Sequence, residues 1–353
     1  MPESPRKWPA LPGPMALAAL AALLILLVAA CRPSASNPSA EPSLPSMSGE
    51  RPYTDDSAWN TPIRPGAAID PHSREMVATI DGPLTSDPNQ FSYPVYSIDA
   101  VTPRFVVPAT KYPWTIVDDH GGATTAEEAT VAIPPDARQS TGSDGQMIIL
   151  DPATGTEWDL WQARRQGDGW VVANGSVYNV RLDGMPPTYG SRGAGIPYLA
   201  GLIRPWEIAA GRIDHAIAFA YPLTAKKRCV WPASKTDGDD LAAFALPEGV
   251  RLRLDPGLGE ADFERLGLNR TGRIIARALQ EYGMILVDGS GRPKIYAENT
   301  ADNPYASVKW SHPSLALQAD TVSPIPLDRF DVLALPDRYW TGTGGQMHGD
   351  CIR

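Results

Sequence analysis

The sequence predicts a mainly-β fold, a single β-sandwich of jelly-roll type over about residues 55–340, and three observations carry that expectation. Short runs of β-branched and aromatic residues recur at spacings near ten residues, each closed by turn residues. The chain of 353 residues holds 36 prolines and 31 glycines, a density that suits many turns and works against a helical bundle. Only one segment, 271–282, shows a sustained helical repeat.

Taken in order, Tyr53, Trp59 and Pro62 mark the entry to the globular part. Strands are expected at 91–98, 104–107, 115–117 and 130–133. A hairpin follows at 146–150 and 156–163, joined by Asp151-Pro152-Ala153-Thr154-Gly155. The next strand, 169–173, is bounded by Asn174-Gly175. Residues 198–206 could hold a turn or two of helix. In 271–282, Ile274, Ile275, Ala278, Leu279 and Tyr282 share one face, and Gly283 stands where the helix should stop. Strands at 284–288, 294–298 and 330–335 complete the expected order.

The first 31 residues have a different character. Arg6 and Lys7 precede an uncharged run from Met15 to Ala30, which ends in Leu27-Val28-Ala29-Ala30-Cys31. A basic start, an apolar stretch and small residues before a cut describe a secretory signal peptide. The 16 residues of that run fall short of the roughly 20 needed to span a bilayer. With the cysteine placed directly after the small residues, the segment resembles a bacterial lipoprotein signal. The resemblance implies cleavage before Cys31, diacylglycerol on its thiol, and attachment to the membrane on the extracytoplasmic side. Residues 31–52, rich in Ser and Pro, read as a solvated tether, with a single domain at 53–353.

The net charge of −9 makes nucleic acid a poor partner, since phosphate binding draws on Lys and Arg. Of the three cysteines, lipid on Cys31 would leave Cys229 and Cys351 as an even pair in an oxidising compartment. Five scattered histidines (72, 120, 215, 312 and 348) lack metal-ligand spacing, so no metal is expected from them. No cofactor is expected either. Asp237-Gly238-Asp239-Asp240 offers oxygens to Ca²⁺ but lacks the twelve-residue loop pattern, and a bare surface loop is the plainer expectation.

The candidates for chemistry are polar residues set in apolar strands. Alternation in 157–163 puts Glu157, Asp159 and Trp161 on one face, a pattern suited to a sugar ring and its hydroxyls or to ordinary solvation. His215 precedes the apolar run Ile217–Phe219 and could act as general acid or base, with Glu207, Glu157 or Asp159 as partner; a core histidine is the alternative. Arg204 and Arg253 could hold substrate by fork geometry, or pair structurally. Tyr282, Gln280 and Asp144 are further candidates, although Asp144 before Gly145 suits a turn.

The globular part loosely resembles the secreted jelly-roll proteins that act on carbohydrates. That resemblance implies a protein that binds or cleaves a polysaccharide, as a glycoside hydrolase, a lyase or a non-catalytic module. An importer's solute-binding lipoprotein would need repeated helix–strand alternation, which is not evident.

Overall fold

The computed structural model describes residues 49–186 and 190–335, together with the backbone of 351–352. All belong to the second of two compact units, Met1–Ser43 and Leu44–Arg353. Cys31 and most of the expected tether therefore lie outside the described residues.

The first half of the described chain contains α1 (Ser73–Val77), β1 (Val95–Ser97), β2 (Arg104–Pro108), β3 (Trp114–Val117), β4 (Ala123–Ala126) and β5 (Glu128–Ala132). It continues with β6 (Met147–Asp151), β7 (Thr156–Trp161), β8 (Arg164–Gln166), β9 (Gly169–Val171) and β10 (Asn174–Asn179). The second half begins with α2 (Pro205–Ala210), β11 (Ile217–Tyr221), β12 (Thr224–Val230), β13 (Leu246–Glu248), β14 (Arg251–Leu254) and α3 (Glu260–Arg265). It ends with α4 (Arg270–Glu281), β15 (Met284–Gly289), β16 (Lys294–Ile295), β17 (Phe330–Val332) and β18 (Cys351–Ile352).

The fold is mainly β, as expected. Its strands form a six-stranded sheet of order β1-β6-β7-β10-β3-β4, a five-stranded sheet of order β16-β11-β15-β14-β17, and three smaller sheets. The pairs β1·β6, β10·β3 and β11·β15 are parallel. A jelly roll is built from antiparallel strands, so these pairs depart from that finer expectation. Among the described residues there are four α-helices where one was expected. The three unforeseen helices have five or six residues each, too short to display a helical repeat.

The hairpin β6·β7 forms in the expected place, with the Gly155 N–H donating to the Asp151 carbonyl. Strand β10 then pairs antiparallel with β7, setting Ser176 opposite Asp159 and Tyr178 opposite Glu157. Gly175 is required here, because a Cβ at that position would lie 2.2 Å from the Trp114 ring. Leu160, Trp158 and Met147 pack with Trp114, Val131 and Ile133 into the core of this half.

The five-stranded sheet is covered on both faces, which explains the continuous apolar runs of β11 and β15. On β11, Ile217, Phe219 and Tyr221 enter the core shared with α4, while Ala218 and Ala220 pack with Trp59, Tyr198 and Leu199 on the other side. Helix α4 starts at an Asn269 cap that accepts from the Gly272 N–H and buries Ile274, Ile275, Ala278 and Leu279. Gly283 ends the segment at φ +72°, where a Cβ would lie 2.3 Å from the Leu252 carbonyl oxygen.

Candidate functional site

The sequence candidates do not share one environment. Glu157 and Asp159 project from β7 into the protein rather than into solvent, and both are buried. Glu157 accepts from the Leu199 N–H at 2.8 Å and the Tyr53 hydroxyl at 3.0 Å. Asp159 accepts from the Tyr198 N–H at 2.9 Å. Burial, followed by the Asp159 charge, pushes the Glu157 carboxyl well above the usual range, and burial lifts Asp159 to about 6. Two adjacent buried carboxyls cannot both ionise cheaply, so the pair retains a proton near neutrality. These acids anchor the segment around 198–199 to β7.

Of the three acids expected as possible partners of His215, Glu207 is the one it meets. The His215 Nε2 lies 2.9 Å from Glu207 Oε1, and its Nδ1 lies 2.8 Å from the Ala216 carbonyl oxygen. Burial lowers the tendency of His215 to hold its second proton, but the Glu207 charge and the hydrogen bonds outweigh it and raise its pKa. Glu207 also accepts from the Arg204 N–H at 2.7 Å, closing the first turn of α2. A cavity lined by His215 and Glu207 holds about 10 Å³, the space of one water. This pair clamps α2 to the start of β11.

Arg204, Arg253 and Tyr282 are similarly engaged within the fold. Arg204 pairs with Glu298 at 2.6 Å, and Arg253 Nε donates to the Gln280 carbonyl. The Tyr282 ring is buried, and its carbonyl accepts from Arg251. Gln280 donates to the carbonyls of Asp255 and Leu258. Structure therefore does not bring His215, Arg253 and the β7 acids to one open surface.

An open cleft of about 490 Å³ does exist, and of the proposed side chains Trp161 and Asp144 line it. Trp161 is half-buried at the end of β7. The Lys111 ammonium sits 5.1 Å from the centre of the Trp161 ring and 5.1 Å from that of Tyr112. The turn at Asp144 is held against the strand end, its carbonyl accepting from the Gln162 N–H at 2.8 Å. Gln146 is buried on the cleft wall, and its Oε1 has no hydrogen-bond partner among the described residues. Buried acceptors are normally satisfied, so such an atom on a cleft wall marks a place for water or ligand.

The floor is formed by Arg192, which adopts φ +61° in the left-handed region. Its guanidinium donates to the Tyr93 hydroxyl and to the carbonyls of Ala200 and Tyr198 at 2.7–3.0 Å. The rings of Tyr93 and Tyr296 flank it at 5.0 and 5.1 Å. A non-glycine residue held in that conformation by so many contacts is a frequent mark of a functional region. Asp144, Asp288 and Gly289 also line an adjoining cleft of about 470 Å³. There burial pulls the Lys294 amine down to about 8, with its Nζ donating to the Phe91 carbonyl at 2.6 Å.

At the junction of the two clefts, burial followed by the Asp237 charge lifts the Asp288 carboxyl to about 7. The same causes, with the Asp288 charge, drive Glu248 well above the usual carboxylate range. No protein-family model, curated protein or solved structure matches this chain.

The sequence reading passed over Lys111, Gln146, Arg192, Glu248 and Asp288. Only two of these carry a local signal. Glu248 interrupts the apolar run Ala245–Val250, and Arg192 sits inside Gly190-Ser191-Arg192-Gly193. The others are assembled by long-range pairing.

Proposed function

We propose that this chain is a lipid-anchored extracytoplasmic protein that binds a polysaccharide in the cleft beside Trp161. The observation that carries the reading is the combination on one wall: the Trp161 and Tyr112 rings, the Lys111 ammonium between them, and the unpartnered Gln146 carbonyl. A flat indole covers the apolar face of a pyranose, while amide and carboxylate groups meet its hydroxyls. Lys111 would serve acidic sugars by charge and neutral ones by hydrogen bonding.

Binding is preferred to cleavage because the acid and base partners suggested by the sequence are committed to internal contacts. Glu157 and Asp159 hold backbone N–H groups, and His215 contacts Glu207 directly at 2.9 Å beside a cavity with room for one water. The anchor rests on Cys31 and the apolar run before it. Retention of the purified full chain, held in detergent, on a panel of immobilised polysaccharides tests the reading. Selective retention that Trp161→Ala abolishes supports it, and equal retention of both proteins refutes it.

A further inference from the structure

Where the two clefts meet, Asp237, Glu248 and Asp288 approach so closely that one oxygen from each lies within 4.8 Å of the others. Their positions are set by three different elements. Glu248 ends β13, Asp288 lies near the end of β15, and Asp237 belongs to the loop after β12. The grouping is a product of the fold rather than of a local acidic run.

Second, the buried Glu248 points an oxygen at this point without a partner. Its side chain is fully buried; Oε2 accepts from the Asp237 N–H at 3.3 Å, a Thr236 side-chain hydrogen bond also favours its charged form, and Oε1 has no hydrogen-bond partner among the described residues. Asp288 uses Oδ1 to accept from the N–H groups of Gly193 and Gly289, at 3.2 and 3.0 Å. None of the three acids forms an ion pair among the described residues. The nearest cations are turned elsewhere: Lys235 Nζ donates to the Arg192 carbonyl at 2.7 Å, and the Arg192 guanidinium is engaged with Tyr93, Tyr198 and Ala200. Buried acids this close together either keep their protons, are paired, or bind a metal.

Third, the backbone leaves room at this point. A Cβ on Gly193 would lie 2.4 Å from Asp237 Oδ1 and 2.6 Å from Glu248 Oε1. Glycine lets the main chain close over the acids without a side chain entering the space between them.

We infer that Asp237, Glu248 and Asp288 form a binding site for a divalent cation, with Ca²⁺ as its natural occupant. Oxygen-only ligands select hard cations, and two oxygens sharing a Ca²⁺ can stand up to about 5 Å apart at its usual 2.3–2.6 Å bond lengths. The exposed side of Asp237 leaves the remaining coordination positions to water from the cleft. The inference does not depend on a polysaccharide being the ligand of that cleft.

The test uses the full chain in detergent, stripped with EDTA and dialysed. Calorimetric titration with CaCl₂ should show saturable binding near one equivalent, with a dissociation constant in the range of extracellular modules, about 10⁻⁴–10⁻³ M or tighter. Ca²⁺ should raise the unfolding temperature above that in NaCl of equal ionic strength. Glu248→Gln should weaken binding at least tenfold, Gly193→Ala should act in the same direction, and Asp81→Asn, an exposed acid elsewhere, should bind as the wild type does. Absence of saturable binding by the wild type up to about 10 mM overturns the inference. So does a folded Glu248→Gln protein with unchanged affinity. If neither variant folds, the wild-type titration and the Ca²⁺-against-NaCl unfolding comparison decide alone.

Discussion

Replacing both buried acids of β7 by their amides, Glu157→Gln with Asp159→Asn, should remove a specific part of the pH dependence of folding. The amide oxygens can still accept from the Leu199 and Tyr198 N–H groups, so the local architecture is retained. In the wild type, burial holds the Asp159 carboxyl at about 6 instead of the ordinary 3.8. At 1.36 kcal/mol for each tenfold change in proton affinity, that difference amounts to about 3 kcal/mol. The native state binds the proton more tightly than the unfolded chain does. The stabilisation is therefore complete below the unfolded value and is lost as pH rises through about 6. Urea unfolding followed by tryptophan fluorescence, at intervals from pH 4 to pH 8, gives the stability of each protein by linear extrapolation. Wild-type stability should fall by at least about 3 kcal/mol relative to the double amide across that range, the Asp159 share alone, with the raised Glu157 carboxyl adding a fall of the same sign. Other raised groups, such as His215 and Asp288, are common to both proteins and cancel in the difference. A difference that stays constant with pH, or grows in the opposite direction, would refute the assignment of a shared proton to this pair.

Three further expectations concern His215, the pair Cys229 and Cys351, and Cys31. His215→Ala should destabilise the protein by about 3–5 kcal/mol, because it strands the buried Glu207 carboxylate, and chemical unfolding measures it. Since His215 has a raised pKa, its share of stability is full below the unfolded value near 6.5 and is lost as pH rises through the folded one; the pH dependence of unfolding in His215→Gln should lack that component. Cys229 and Cys351 are register partners in the parallel pair β12·β18, so intact-mass analysis with and without reductant should reveal a bond between them. Its loss by Cys229→Ser should cost about 4–5 kcal/mol, given the length of chain enclosed. Expressed in a bacterial host, the chain should incorporate labelled palmitate into the membrane fraction, and Cys31→Ser should abolish the incorporation.

Strand and helix placement was most legible where pattern and local chemistry agreed. The β6·β7 hairpin combines alternation with a turn sequence, and α4 combines a 3.6-residue stripe with Asn269 before it and Gly283 after it. Strand β10 was illegible because Asn174-Gly175 reads as a turn, whereas the Trp114 ring against Gly175 and pairing on both sides make it a strand. The pattern in β7 correctly put Glu157, Asp159 and Trp161 on one face. It could not show that the segment around 198–199 covers the first two and leaves only Trp161 at the cleft. The pairing of His215 with Glu207 was legible as a combination of types, but its enclosure was not. The acids of the proposed cation site come from the loop after β12, the end of β13 and the end of β15, and only the packing of these segments unites them.

The reading of the cleft is tested most directly by the retention of the full chain on immobilised polysaccharides, with the wild type and Trp161→Ala compared side by side. Loss of the indole from a central contact should weaken binding by about tenfold or more, the effect of roughly 1.4 kcal/mol or above. The account predicts retention on at least one polysaccharide that is lost in the variant while its unfolding midpoint is kept. Retention on none of a broad panel, or retention indifferent to Trp161, would contradict it.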